Sequence, residues 1–193
     1  MKNLILSAIF ILSSVFVAAQ DKYNVQAGSK TKWTGYKLAK TDASSHYGSI
    51  PVSSGTINIK GGKLVGGTFT ANVKGLTVED LSGDSKTQLE GHLKTQDFFE
   101  VEKFPTATFT ITKVTASKSK TYPYTVTGDL TIKGKKKSIK FNAKTTVKSG
   151  VATLETEKFT INRKDFGVEY DSTMKDVVIK NDVDLKVTIT AKK

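Results

Sequence analysis

Few residues in this chain carry groups able to do chemistry, and their spacing excludes most of it. There are two histidines, His46 and His92, and no cysteine. Neither histidine stands at a spacing that would let it share a metal with a nearby carboxylate or histidine on one helix face. The lack of cysteine removes disulfides and thiolate metal sites. No serine sits in a nucleophile-elbow context, and the Gly-Gly pairs at 61–62 and 66–67 lie between strand-like runs, not in a phosphate-binding loop. The carboxylate pairs Glu79/Asp80 and Asp182/Asp184 read as solvated charges, the usual state of exposed acids. His92, flanked by Leu89 and Leu93 on a helical pattern, reads as a hydrogen-bonded structural residue. The chain is therefore expected to bind and not to catalyse, with no metal and no cofactor.

The charge of +12 raises the question of nucleic acid. Of the 30 basic residues only Arg163 is an arginine. Nucleic-acid readers favour arginine for its planar fork, so a surface made of dispersed lysines points away from that partner. The cluster Lys135–Lys137 reads as a solvated hairpin turn. A peripheral, non-specific contact with an anionic membrane surface stays open.

The elements that must position these residues are strands. Apolar residues alternate with threonines in TATFTITKV (106–114), in YTVTGDLTI (124–132), in SIKFNAKTTV (138–147) and in the C-terminal DVDLKVTIT (182–190). The same period of two recurs in GTFTANV, GTINIK and EKFTINR, so each strand has one apolar face. Seven or eight such strands, separated by glycine-containing turns, must curl into a barrel or pair as a sandwich. Only DSKTQLEGHLKTQDFF argues for a helix, with a cap at Asp84 or Ser85 and an excursion over residues 84–100 that Pro105 ends. Upstream, residues 1–19 combine Lys2, an apolar run from Leu4 to Val17, and small residues at Val17–Ala19. That layout predicts an export signal cleaved after Ala19, a periplasmic location, and one domain over residues 20–193.

The stretch HLKTQDFFEVEKFPTATF, followed by GDLTIKG, resembles the YceI-like family, whose pattern runs H-L-x-S-x-D-F-F, then [FY]-P-x-x-x-F and G-x-L-T-I-x-G. KWTGYK, SSHYGSI and INRKDFG extend the resemblance from about Tyr23 to Ile189, with Thr95 where serine is usual. The resemblance implies an all-β, eight-stranded antiparallel barrel of lipocalin-like form. It further implies an elongated apolar cavity for a polyisoprenoid, an isoprenoid quinone or a similar amphiphilic lipid. It does not fix the oligomeric state, and a homodimer is one option.

On that reading Phe98 and Phe99 leave the helical excursion and pack inward, Pro105 turns Phe104 into the barrel, and Phe109 continues the lining. By the same alternation Trp33, Tyr36, Phe69, Leu130, Ile132, Phe141, Phe159 and Phe166 are lining candidates, with Leu93 on the helix. Apolar walls discriminate weakly, so headgroup selectivity must come from a few polar groups at the mouth. Arg163, His46 and His92 are the candidates, with a structural ion pair to Asp165 or another carboxylate as the plainer role for Arg163.

Overall fold

The computed structural model describes residues 19–39 and 42–193. Residues 1–18, which hold all but the last residue of the expected export signal, lie outside the described residues. In chain order the strands are β1 (Gln20–Val25), β2 (Lys30–Ala39), β3 (Asp42–Lys60), β4 (Lys63–Asn72), β5 (Thr77–Val78), β6 (Thr106–Ala116), β7 (Tyr124–Ile132), β8 (Lys135–Lys148), β9 (Val151–Thr156), β10 (Phe159–Asn162) and β11 (Val177–Lys192). One helix, α1 (Gly83–Lys94), stands between β5 and β6.

Eight of the strands close on themselves. The path from β11 through β2, β3, β4, β6, β7 and β8 reaches β9, which pairs back onto β11, and every step is antiparallel. Closure leaves no edge in the ring for another chain to pair with. Three of the connections are two-residue hairpin turns in which both residues have positive φ: Gly61-Gly62, Lys133-Gly134 and Ser149-Gly150. Such turns carry the twist that antiparallel strands require. The lysine cluster therefore sits differently from expectation. Lys135–Lys137 form the exposed start of β8, paired with Leu130–Ile132, and the turn itself is the preceding dipeptide.

Two ring positions are shared by broken strands. β1 pairs with residues 56–60 of β3 and with Asn24 and Val25 against Lys192 and Ala191, while β2 takes the same place farther along. At the break the buried Ser29 hydroxyl donates to the carbonyls of Gln26 and Thr190 and accepts from the Thr190 N–H, standing in for the missing ladder bonds. β9 and β10 likewise follow one another along β11, interrupted at Glu157 and Lys158. The nineteen-residue β3 bends between Val52 and Ser54, where Gly55 takes a φ of 141°. Any side chain there would run into the Thr68 carbonyl.

The helix begins earlier than its sequence pattern suggests. Ser82 is the N-cap residue, and Asp84 lies in the first turn, where a carboxylate complements the helix dipole. The helix stops at Lys94, Thr95 returns its hydroxyl to the His92 carbonyl, and residues 96–103 continue as turns until Pro105 releases the chain into β6. No residue of α1 is fully buried, so the helix is a cover and not a core element.

Side chains fill the barrel unevenly. Around β1 and the adjoining hairpin ends, Tyr23, Ile57, Ile59, Leu64, Ala152, Leu154, Ile189 and Ala191 form one compact cluster. At the other end a smaller cluster of Trp33, Leu76 and Val78 packs beneath α1 with Leu89, Leu93 and Phe99.

Candidate functional site

Between the filled end and the helix-covered end lies a cavity of about 410 Å³. That size falls within the roughly 300–1,000 Å³ of small-molecule sites. Its wall follows from the alternation. Thr31, Trp33, Gly35 and Lys37 contribute from β2, Phe69 and Ala71 from β4, Ala107, Phe109 and Ile111 from β6, and Leu130 and Ile132 from β7. Ile139 and Phe141 of β8, Phe159 and Ile161 of β10, and Val183, Leu185 and Val187 of β11 complete the circuit. The deep limit is aromatic. Phe141 stacks on Phe159 at 4.5 Å between centroids, and Phe109 lies 5.3 Å from Phe141.

The other limit is a lid. His92 meets Phe98 edge-on at 5.1 Å and Tyr170 at 4.8 Å, while Phe98 and Tyr170 lie 4.9 Å apart, so three rings tie the end of α1 to the loop after residue 167. His92 Nε2 also stands 3.3 Å from the Asp97 carboxylate. Beside this lid the cavity reaches the surface among Ser172, Met174, Ile179 and Lys180. Met174 is 61% exposed there, and Leu38 and Val178, opposite one another on β2 and β11, are also exposed.

Of the residues singled out from sequence, Phe104 is the one absent from the wall. Its backbone N–H bonds the Glu100 carbonyl, and its ring lies over Gly134 in the β7–β8 turn with the Lys103 ammonium 5.2 Å away. Pro105 thus sets Phe104 against the outside of a hairpin, because the chain turns once more before it enters β6. Tyr36 borders the cavity, but its hydroxyl donates to Asp184 at 2.7 Å. Asp184 also accepts from Lys158 and Thr160, a knot that joins β2, β10 and β11. The Lys158 ammonium, then the Thr160 and Tyr36 hydroxyls, hold the Asp184 carboxyl down at about 2, and the same bond to Asp184 raises the Tyr36 phenol.

Arg163 is in the wall too, with its donors already engaged. Nε donates to the Lys180 carbonyl, Nη1 to the Val168 carbonyl at 2.7 Å, and Nη2 to the Ile179 carbonyl and Asp171. The guanidinium is 5% exposed and staples the 163–171 segment to the start of β11. A planar fork explains why arginine stands here, and the fork grips backbone; its acidic partner is Asp171, not Asp165. His46 lines the cavity with Nδ1 2.8 Å from Asp80 Oδ2. Burial would raise the Asp80 carboxyl, but the Tyr47 N–H and His46 outweigh it and hold it below its ordinary value. Trp33 lies across Gly48 of β3, where a Cβ would collide with the indole and the Thr77 carbonyl.

Sequence reasoning missed Lys37, Tyr170 and Met174 in this wall. Lys37 was readable, since it continues the inward series of Trp33 and Gly35; the other two lie in an irregular segment with no period to read.

Known proteins share this architecture. A Burkholderia cenocepacia structure, BcnA, superposes with a TM-score of 0.62 at 20% identity, over 84% of this chain and 96% of that one. A polyisoprenoid binding domain from Saccharophagus degradans, implicated in plant cell wall breakdown, gives 0.59 at 12% identity, over 88% and 97%. The Campylobacter jejuni YceI protein gives 0.52 at 18% identity, over 100% and 99%. At these identities the likeness concerns the fold. In sequence, a UPF0312 protein of Photorhabdus laumondii is 38% identical over 73 residues, so the matched part spans 37% of this chain and 36% of that relative. The model of the YceI-like domain matches residues 23–191, nearly all of the described barrel, and the chain belongs to that family.

Proposed function

We propose that this is an exported binding protein that holds a polyisoprenoid, an isoprenoid quinone or a similar amphiphilic lipid in its barrel cavity, for transport or storage. The observation that carries this reading is the cavity itself: an almost wholly apolar wall closed at one end by core and at the other by aromatic rings. Burying ten to fifteen prenyl carbons supplies roughly 8–12 kcal/mol before immobilisation costs, so no catalytic group is needed to retain such a ligand. The polyisoprenoid-binding description of the Saccharophagus degradans domain supports the same ligand class. Export to the periplasm rests on the signal-like residues 1–19, and the lysine-rich surface suits a peripheral contact with anionic membrane.

Native mass spectrometry of the protein purified gently from an envelope fraction, followed by solvent extraction, tests the reading. A stoichiometric prenyl lipid is expected, on a polypeptide that begins near Gln20. A ligand-free mass with no uptake of added prenyl lipids would overturn it. Phe99→Asp should lower lipid occupancy several-fold in a folded variant.

A further inference from the structure

Unmatched positive charge gathers at the solid end of the barrel, away from the cavity's opening. There the Gly61-Gly62 turn is flanked by Lys60 and Lys63, which stand directly opposite one another. The strand register continues the set. On β1, Gln20 faces Lys60 and Lys22 faces Asn58, while Lys192 lies opposite both Asn24 of β1 and Val151 of β9, and Val151 is in turn opposite Lys148. Lys193 follows, with its backbone N–H bonded to the Gly150 carbonyl. All six lysines are exposed. The acid set among them is Asp21, held by Lys193 at 2.7 Å, and the other five ammonium groups have no hydrogen bond or ion pair among the described residues. Val65 and Val147, both 43% exposed, stand in the same rim, two residues after Lys63 and one before Lys148.

At the opposite end most of the cations are matched. Lys74 pairs with Glu102, Lys86 with Glu90, Lys103 with Glu100, Lys135 with Glu169, and Lys164 with Asp171. The two ends therefore present different electrostatic faces. Like charges placed directly across a ladder, as Lys60 and Lys63 are, oppose the pairing that holds them, and an anionic surface removes that cost. Lysine suits a surface better than a pocket, because a point charge on a flexible stem meets many headgroups without demanding the geometry of one. The two valines give the rim an apolar component that the headgroup boundary of a bilayer accepts and a nucleic-acid backbone does not. Chain direction adds a second, independent observation. β1 begins in this rim, with Gln20 opposite Lys60, so residues 1–19 join the barrel on that face. On the export reading, the chain leaves the membrane with its lysine rim nearest to it.

We infer that the lysine rim at the solid end docks on an anionic phospholipid bilayer, so that the cavity's opening points away from that membrane. The inference rests on the peripheral membrane contact proposed above and assigns it to one face, and the experiment separates the two. The mature protein is titrated with vesicles of phosphatidylcholine, alone or in equal parts with phosphatidylglycerol, and bound protein is measured by flotation. The wild type is expected to bind only the mixed vesicles and to be released by salt. Each lysine near such a surface contributes about five-fold in affinity, so joint replacement by Lys60→Gln, Lys63→Gln and Lys148→Gln should weaken binding at least about twenty-fold. Lys103→Gln, Lys136→Gln and Lys175→Gln together remove as much charge at the opposite end. They should change binding less than about three-fold, because the barrel holds them beyond the Debye length of roughly 8 Å at physiological salt. The chain has no cysteine, so Ser149→Cys and Thr173→Cys each accept a single environment-sensitive dye. The dye at 149 should shift its emission on mixed vesicles, and the dye at 173 should not. Equal weakening by the two triple variants, or a shift at 173 alone, overturns the docked face while membrane contact stands. Binding to neutral vesicles as tight as to mixed ones overturns the role of the lysines. Failure of the wild type to bind mixed vesicles removes the membrane contact itself and leaves the cavity reading to its own test.

Discussion

The two ends of the barrel are built from the same alternating strands, yet one is solid and the other hollow. At the end capped by β1, aliphatic side chains and alanines interlock: Ile57, Ile59 and Ile189 meet Ala143, Ala152 and Ala191, and all are essentially buried. Next to it, where the cavity begins, the inward positions are taken by Phe69, Phe109, Phe141 and Phe159, large rings that leave the axis open; Phe141 is buried and the other three remain partly accessible. A small residue facing a large one fills space, while a circle of large ones faces outward from a void. Alternation alone announces an inward face; the identities along it distinguish plug from wall.

The comparison makes its strongest demand on stability. Ile57→Ala at the solid end deletes packed methylenes with no room to relax and should cost about 2–4 kcal/mol in urea unfolding of the ligand-free protein. A loss as small as that of a surface change would mean the solid end is loosely packed. An intermediate effect is expected at the seam between the regions. There the Asp184 carboxyl is depressed from an ordinary 3.8 to about 2 by Lys158, Thr160 and Tyr36, so its contribution is complete above about pH 4 and disappears as pH falls toward 2. Asp184→Asn should lose about 2 kcal/mol near neutral pH. That difference from the wild type should close in acid, and a pH-independent gap would assign the loss to packing. The smallest effect belongs to the hollow end. Ala107, facing Ala71 across β4 and β6, can be enlarged to phenylalanine inside the cavity. Ala107→Phe is expected to change stability by less than about 1 kcal/mol, below the usual overpacking cost, while displacing prenyl lipid. A larger destabilisation would show that the space is not free.

Much of this architecture was legible beforehand. Threonine-rich alternation placed β6, β7, β8 and β11, and the motif around His92 to Phe109 placed the helical cover before the strand that follows it. Legibility ended where a side chain's partner comes from irregular backbone. Phe104 shares its composition with the wall residues, but its direction depends on turns over residues 96–103. Arg163, the lone arginine, reads as a headgroup candidate or, more plainly, as one half of a structural ion pair; it does pair with a carboxylate, Asp171, but the carbonyls at 168, 179 and 180 that also engage it are announced by no local pattern. Asp184 reads as a solvated charge, since its three partners lie on β2, on β10 and in the break that precedes β10. Lys37 was a different kind of miss, because parity with Trp33 placed it inward and only its charge argued otherwise.

The hydroxyl of Ser29 bonds to the backbone of Thr190, 161 residues away along the chain. That pairing, with those of β11 against β1, β2 and β9, places the ring's last joint between segments that are distant in sequence. Non-local joints of this kind form slowly, because the entropy of a long loop is lost before any contact repays it. The hollow is therefore a late product of folding: until β11 docks there is a curved sheet with two free margins, and a lipid's enclosure begins only once the slowest step has passed.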